Sequence, residues 1–153
     1  MTPVQRVVAA LHAAGVDAGV RRLDVPVPTA AAAAEALGCD VGAIANSLVF
    51  DADGEPLLVL ASGAHRVDTA KVAALVGATR VRRASSAFVT AATGQEVGGV
   101  APTGHPAPLR TVVDVDLAAY PLLWAGGGDH HTMFSVNYAD LLRLTGGEEA
   151  AVA

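Results

Sequence analysis

The sequence predicts a mixed α/β fold in which a mixed, largely antiparallel β-sheet is surrounded by helices. Three observations carry that expectation. Apolar residues recur at helical spacing in several segments; two apolar runs are joined by a turn rich in Asp and Gly; and strand-like and helix-like stretches interleave along the chain. The hairpin, together with an antiparallel pair expected near the end, does not suit a purely parallel sheet.

Taken in order, Val4, Val7, Val8, Leu11 and Ala14 share one helical face, with Pro3 in the first turn and Gly15 as a stop. Val20–Val25 has strand character before Pro26 and Pro28. Thr29 then caps an alanine-rich helix ending at Gly38. Ser47–Phe50 and Leu57–Ala61 flank Asp51-Ala52-Asp53-Gly54-Glu55-Pro56 and form the clearest hairpin. A helix around Val67–Leu75 stops at Gly77, Thr79–Val81 reads as a short strand, and Ser86–Ala92 as a helix. From Gly94 to Pro108 a Gly- and Pro-dense loop is long enough to suggest function. Arg110–Asp114, Leu122–Ala125 and Met133–Val136 are further strands, and Tyr138–Leu144 is the last helix. The expected organisation is one domain over residues 1–147, with 148–153 as a flexible tail.

Composition narrows the function. No apolar run is long enough to span a bilayer, no signal-peptide pattern opens the chain, and Cys39 is the single cysteine, so a cytoplasmic protein is expected. The formal charge of −5 opposes broad polyanion binding. Neither DNA nor a membrane is therefore an expected partner. Arg80, Arg82 and Arg83 form the tightest basic group, able to meet a few phosphates or simply to solvate a strand edge.

Two segments have the composition of a ligand site. Gly98-Gly99-Val100-Ala101-Pro102 lets the backbone approach a ligand and aim N–H groups at it, or serves a loop that needs positive φ. Gly126-Gly127-Gly128-Asp129-His130-His131 brings three glycines beside two histidines, of which an extended backbone turns only one toward a pocket. Metal binding through Asp129, His130 and His131 lacks any recognised ligand spacing, so neither a metal nor a cofactor is expected. No Gly-Xaa-Ser-Xaa-Gly occurs and Cys39 has no nearby histidine, which disfavours a covalent nucleophile.

Thr29-Ala30 with Glu35–Cys39, Ile44–Phe50, Ser62-Gly63 with Arg66-Val67-Asp68, Thr93-Gly94 through Pro102, Val112–Asp114, Trp124–Gly128 and Leu141–Gly146 follow one another in an order that resembles the YbaK-like family. That family includes the editing domain of prolyl-tRNA synthetases. The resemblance implies a trans-acting hydrolase that cleaves the ester of mischarged tRNA, its partners being a tRNA acceptor end carrying a small amino acid and an aminoacyl-tRNA synthetase. On this basis Asn46, Gly98 and His131 are the candidate catalytic residues. Gly98–Ala101 would hold the ester carbonyl, Asn46 would donate to it or to the adenosine, and His131 would move a proton. Thr29, Ser47, Ser62, Gly99, Val100, Ala101, Pro102, Gly127, Gly128 and Asp129 are the candidate substrate-binding residues, with small apolar side chains excluding larger aminoacyl groups. Asn46 stands where the family pattern carries lysine, replacing a full charge by a neutral amide. The alternative is a non-catalytic module that binds a tRNA end, a nucleotide or an amino-acid derivative.

Overall fold

The computed structural model describes residues 1–153. Its elements run α1 (Pro3–Ala13), β1 (Gly19–Arg22), α2 (Ala30–Leu37), β2 (Ile44–Ala52), β3 (Glu55–Ser62), α3 (Thr69–Val76), β4 (Val81–Arg83), α4 (Ser86–Thr93), β5 (Arg110–Asp114), β6 (Leu123–Gly126), β7 (Thr132–Val136), α5 (Tyr138–Thr145) and β8 (Glu148–Ala150). The helix starts follow local chemistry. Thr2, Thr29, Asp68, Ser85 and Asn137 each accept a first-turn N–H, and α1 adds a capping box through Gln5.

One eight-stranded sheet is ordered β1-β7-β6-β2-β3-β5-β8, with β4 also on β2. β1–β7, β2–β3, β2–β4 and β6–β7 are antiparallel. β2–β6, β3–β5 and β5–β8 are parallel. This is the mixed sheet the sequence implies, built on the β2–β3 hairpin, where Asp53 (φ 52°) and Gly54 (φ 91°) supply the two left-handed positions of a tight turn.

Alternation along the strands divides the core. Ala45, Leu58, Leu60, Val113, Ala125 and Phe134 face Val7 and Leu11 of α1, Val89 of α4 and Leu141 of α5. On the opposite face Leu57, Val59, Ala61 and Val112 meet Val72 and Val76 of α3, while Ile44 and Met133 meet Ala33 and Ala34 of α2.

The hairpin strands run longer than the expected Ser47–Phe50 and Leu57–Ala61, and three further elements differ from the sequence expectation. β1 ends at Arg22 because Leu23 and Val27 instead donate to the carbonyls of His131 and His130 in a prolonged strap, and Pro26 and Pro28 have no N–H to give. β4 begins at Val81 because Asp53 takes the N–H groups of Thr79 and Arg80 (2.8 and 2.9 Å), so those residues belong to a capped turn. Residues 148–153 are not a free tail: β8 pairs with β5, Val152 is buried, and its carbonyl accepts the Asp68 N–H. The polar Glu-Glu start hid this, since at a sheet edge the backbone hydrogen bonds and one apolar anchor suffice.

Removal of residues 148–153 is expected to lower unfolding stability by about 2–4 kcal/mol, the scale of burying one Val and closing a short ladder, measured by urea denaturation.

Candidate active site

The second strand has a neighbour on one side along its whole length and on the other only at its ends. β3 pairs with Ala45–Ala52, whereas the opposite edge meets β6 at Ile44 and Ala45 and β4 at Phe50–Ala52. Asn46, Ser47, Leu48 and Val49 are left with an open edge between the two. A cleft of about 1060 Å³ lies there, lined from both sides of the sheet. Thr29 and Ala33 of α2, and His65, Arg66 and Val67 of the loop before α3, contribute on one side. Ala84, Val89 of α4, and Val97, Gly98 and Val100 of the long loop contribute on the other.

The loop from Gly94 to Pro108 is a built wall. Gln95 is buried; its Nε2 donates to the Thr103 carbonyl (3.2 Å) and its Oε1 accepts the N–H of Ala101 (2.8 Å). His105 Nε2 meets the Ala101 carbonyl at 2.8 Å, and burial holds this imidazole below its usual pKa, in the neutral form. From outside, His130 Nε2 meets the Val97 carbonyl at 2.9 Å. Gly98 has φ 88°, and a Cβ there would also lie 3.1 Å from the Pro28 carbonyl oxygen, so glycine is required. Within the loop Gly99 donates to Glu96 and Ala101 to Gln95, while the N–H groups of Gly98 and Val100 have no acceptor in the chain. These two donors belong to residues that line the cleft.

Of the residues singled out from sequence, Thr29, Asn46, Ser47, Gly98 and Val100 line the cleft together. Asn46 and Ser47 approach it from opposite faces of β2, because consecutive strand residues point apart; Ser47 shares the face of Ala45 and Val49. The Ser47 hydroxyl is buried without a hydrogen-bond partner. Gly126 of the second glycine segment lines the cleft too, whereas the other candidates do not. Ser62 is buried, its hydroxyl donating to the Gly42 carbonyl (2.8 Å) and its N–H to Asp114 (3.0 Å). Ala101 and Pro102 are buried beneath the wall. Gly99 packs on the Asp129 backbone, Gly127 on Thr132 and Gly128 on Pro3, so these glycines permit close packing. Asp129 accepts the His131 N–H at 2.8 Å, and His131 Nδ1 lies 3.1 Å from the Leu23 carbonyl. Both histidines of that segment thus strap neighbouring chain, and His131 is held by residues outside the cleft.

Three contributors have no strong sequence signal. His65 lies between two carboxylates, Nδ1 at 2.7 Å from buried Asp114 and Nε2 at 3.2 Å from Asp116. These three residues, not Asp129, His130 and His131, form the chain's compact group of potential ligand atoms. The arrangement arises because β5 pairs Val113 with Leu60, which carries Asp114 to the end of β3. It fixes the loop bearing Arg66. Arg83 is brought to the same cleft by pairing with Phe50. The chain's ion pairs engage Arg82, Arg110 and Arg143 but leave Arg66 and Arg83 without a carboxylate. Cys39 lies outside the cleft, and burial pushes its thiol pKa up.

A deep cleft at an interrupted sheet edge, walled by a glycine loop with two free N–H groups, sits on a fold shared with solved proteins. One, described provisionally as a trans-editing enzyme for prolyl-tRNA synthetase, superposes with a TM-score of 0.92 at 38% identity, over 99% of this chain and 97% of that one. Among curated proteins, a proline–tRNA ligase of Lysinibacillus sphaericus is 37% identical over 71 residues, 46% of this chain and 12% of the ligase. The protein YwhH of Bacillus subtilis, which is uncharacterized, is 28% identical over 80% of this chain and 78% of its own length. The chain thus spans only a small part of the ligase. Residues 24–144 match the aminoacyl-tRNA editing domain, and the chain belongs to that family. No helix is long and apolar enough to cross a membrane.

Replacing Gln95 by Leu is expected to leave the Ala101 N–H unsatisfied, costing about 1–3 kcal/mol in urea unfolding and raising hydrogen exchange across residues 97–103.

Proposed function

We propose that the protein is a trans-acting aminoacyl-tRNA deacylase that hydrolyses the ester of a small amino acid mischarged on tRNA. The observation that carries this reading is the alternation in the glycine wall: the N–H groups of Gly99 and Ala101 are consumed within the loop, while those of Gly98 and Val100 are left at the cleft. Two such donors suit an ester carbonyl that becomes an oxyanion. Each is worth about 3 kcal/mol when aimed at the developing charge in a water-poor site.

Water adds to the ester carbon, and the electron pair of the carbonyl moves onto oxygen between the two N–H groups. The tetrahedral species collapses with cleavage of the bond to the ribose oxygen. The proton given up by the water passes to that leaving oxygen, with the neighbouring ribose hydroxyl as relay, releasing the amino acid and deacylated tRNA. An activated ester is a modest task, for which positioning and oxyanion stabilisation suffice without a triad. His131 is not among the residues that line the cleft, which argues against the proton-transfer role its sequence position suggested. Asn46, on the side shared with Arg66 and Arg83, donates to the sugar or adjoining groups, while Val100 and Ala84 enclose the small aminoacyl group. The size selectivity of such walls amounts to about 1–3 kcal/mol per methylene. A synthetase partner is a natural source of the tRNA affinity that a chain of net charge −5 lacks.

The test is amino-acid release from a panel of mischarged tRNAs. Release of small residues is expected from the natural chain, with a fall of about 10²–10³-fold in Gly98→Val at retained folding, checked by circular dichroism. No release from any substrate, with tRNA-end binding intact, would replace this reading by the recognition module. Activity appearing only in Asn46→Lys would likewise favour the recognition module.

Arg66 and Arg83 are the proposed phosphate-binding residues. Replacing both by Ala is expected to flatten the dependence of log affinity on log salt by about 0.7 for each phosphate no longer neutralised, measured on uncharged tRNA by fluorescence anisotropy.

A further inference from the structure

The open edge of β2 presents main-chain groups inside the cleft. Gly63 donates to the Ile44 carbonyl on the β3 side, and Asp53 donates to the Arg80 carbonyl on the β4 side. Strand alternation between these two markers turns the N–H and C=O of Asn46 and Leu48 toward β3 and those of Ser47 and Val49 toward the gap. Ser47 adds its buried, unpartnered hydroxyl. Hydrogen-bonding capacity is therefore concentrated at one place where buried polar groups ordinarily find partners.

From the geometry we infer that this edge reads the base of the terminal nucleotide, the Ser47 carbonyl accepting from the adenine amino group and the Val49 N–H donating to a ring nitrogen. The source of that adenine, the tRNA 3′ end, rests on the deacylase reading. The size of the gap selects the occupant. β6 stops pairing at Ala45 and β4 starts at Phe50, so the four residues between them, about 13 Å of strand, are unpaired on this side. An extended peptide adding to the sheet would run into both neighbours, whereas a single planar donor–acceptor group fits. Hydrogen bonds made in the plane of the sheet leave the two faces of a base toward Val89 and Val67, which line the cleft from opposite sides. The unpaired Arg66 and Arg83 on the same rim match the phosphate such a base carries.

The experiment is calorimetric titration of the full chain with AMP and with N6,N6-dimethyl-AMP, which has no amino hydrogen to donate. AMP is expected to bind, with the dimethyl analogue weaker by about tenfold or more. Val49→Pro deletes the edge N–H at a position that does not donate to β3, where proline is tolerated, and is expected to weaken AMP about tenfold at a thermal midpoint that shows folding. Equal binding of the two nucleotides, or no binding of AMP, overturns the inference; both comparisons use the natural chain and do not depend on the variant. Deacylation assayed on the same preparation separates the two readings. Release without base discrimination removes this inference alone, and discrimination without release removes the hydrolase alone.

Discussion

The hydrogen-bonded ladder between β2 and β3 is the constraint on which the rest of the structure depends. It is the longest pairing in the sheet, running from Ala45–Ser62 to Ala52–Glu55, and it satisfies one side of β2 completely. That freedom lets the other side be divided between two strands from distant parts of the chain, with a stretch left unpaired. An unpaired strand edge is ordinarily a hazard. Here it is recessed between β6 and β4 and flanked by α2, α4 and the glycine loop, so the gap is too short to admit a further strand.

The loop is the second determinant. Its shape is imposed from within by Gln95 and His105 and from outside by His130, so that a segment without regular structure is held by side-chain hydrogen bonds on both sides. In the proposed deacylase, a wall presenting N–H groups at a defined spacing requires such fixation, because positional looseness of an ångström erodes oxyanion stabilisation. Asp114 does comparable work at the other rim, where its carboxylate joins the end of β3, His65 and the turn after β5.

Helices, hairpin and glycine wall were legible in the sequence because each rests on local chemistry: a cap at Thr29, an Asp- and Gly-rich turn within residues 51–56, apolar periodicity in α1. The site was legible in part. Asn46, Ser47 and Gly98 stand out by residue type and order, but their meeting place is a gap between non-consecutive strands, which no local pattern encodes. The same limit concealed His65 and Arg83, which reach the cleft through long-range register. It also made the whole Gly126–His131 segment look like a binding wall, although only Gly126 lines the cleft and the close backbone packing of Gly127 and Gly128 demands glycine as strictly as a ligand does. Asn46 departs from the family pattern in charge, and the exposed pair Arg66 and Arg83 supplies positive charge on the same rim.

Because the cleft is bounded by β2, by β4 and α4, and by β6, its walls come from segments separated by tens of residues, and the strap that braces them joins Leu23 to His131. Such a topology has high contact order, which slows folding, since loop-closure entropy must be overcome before distant pairs form. No fragment of the hairpin with its flanking helices contains the complete cleft. The complete cleft consequently exists only when the whole sheet has closed, and it is a sensitive index of global integrity: substitutions far from it that loosen the closing of the sheet will lower the fraction of molecules with an intact cleft before they abolish secondary structure.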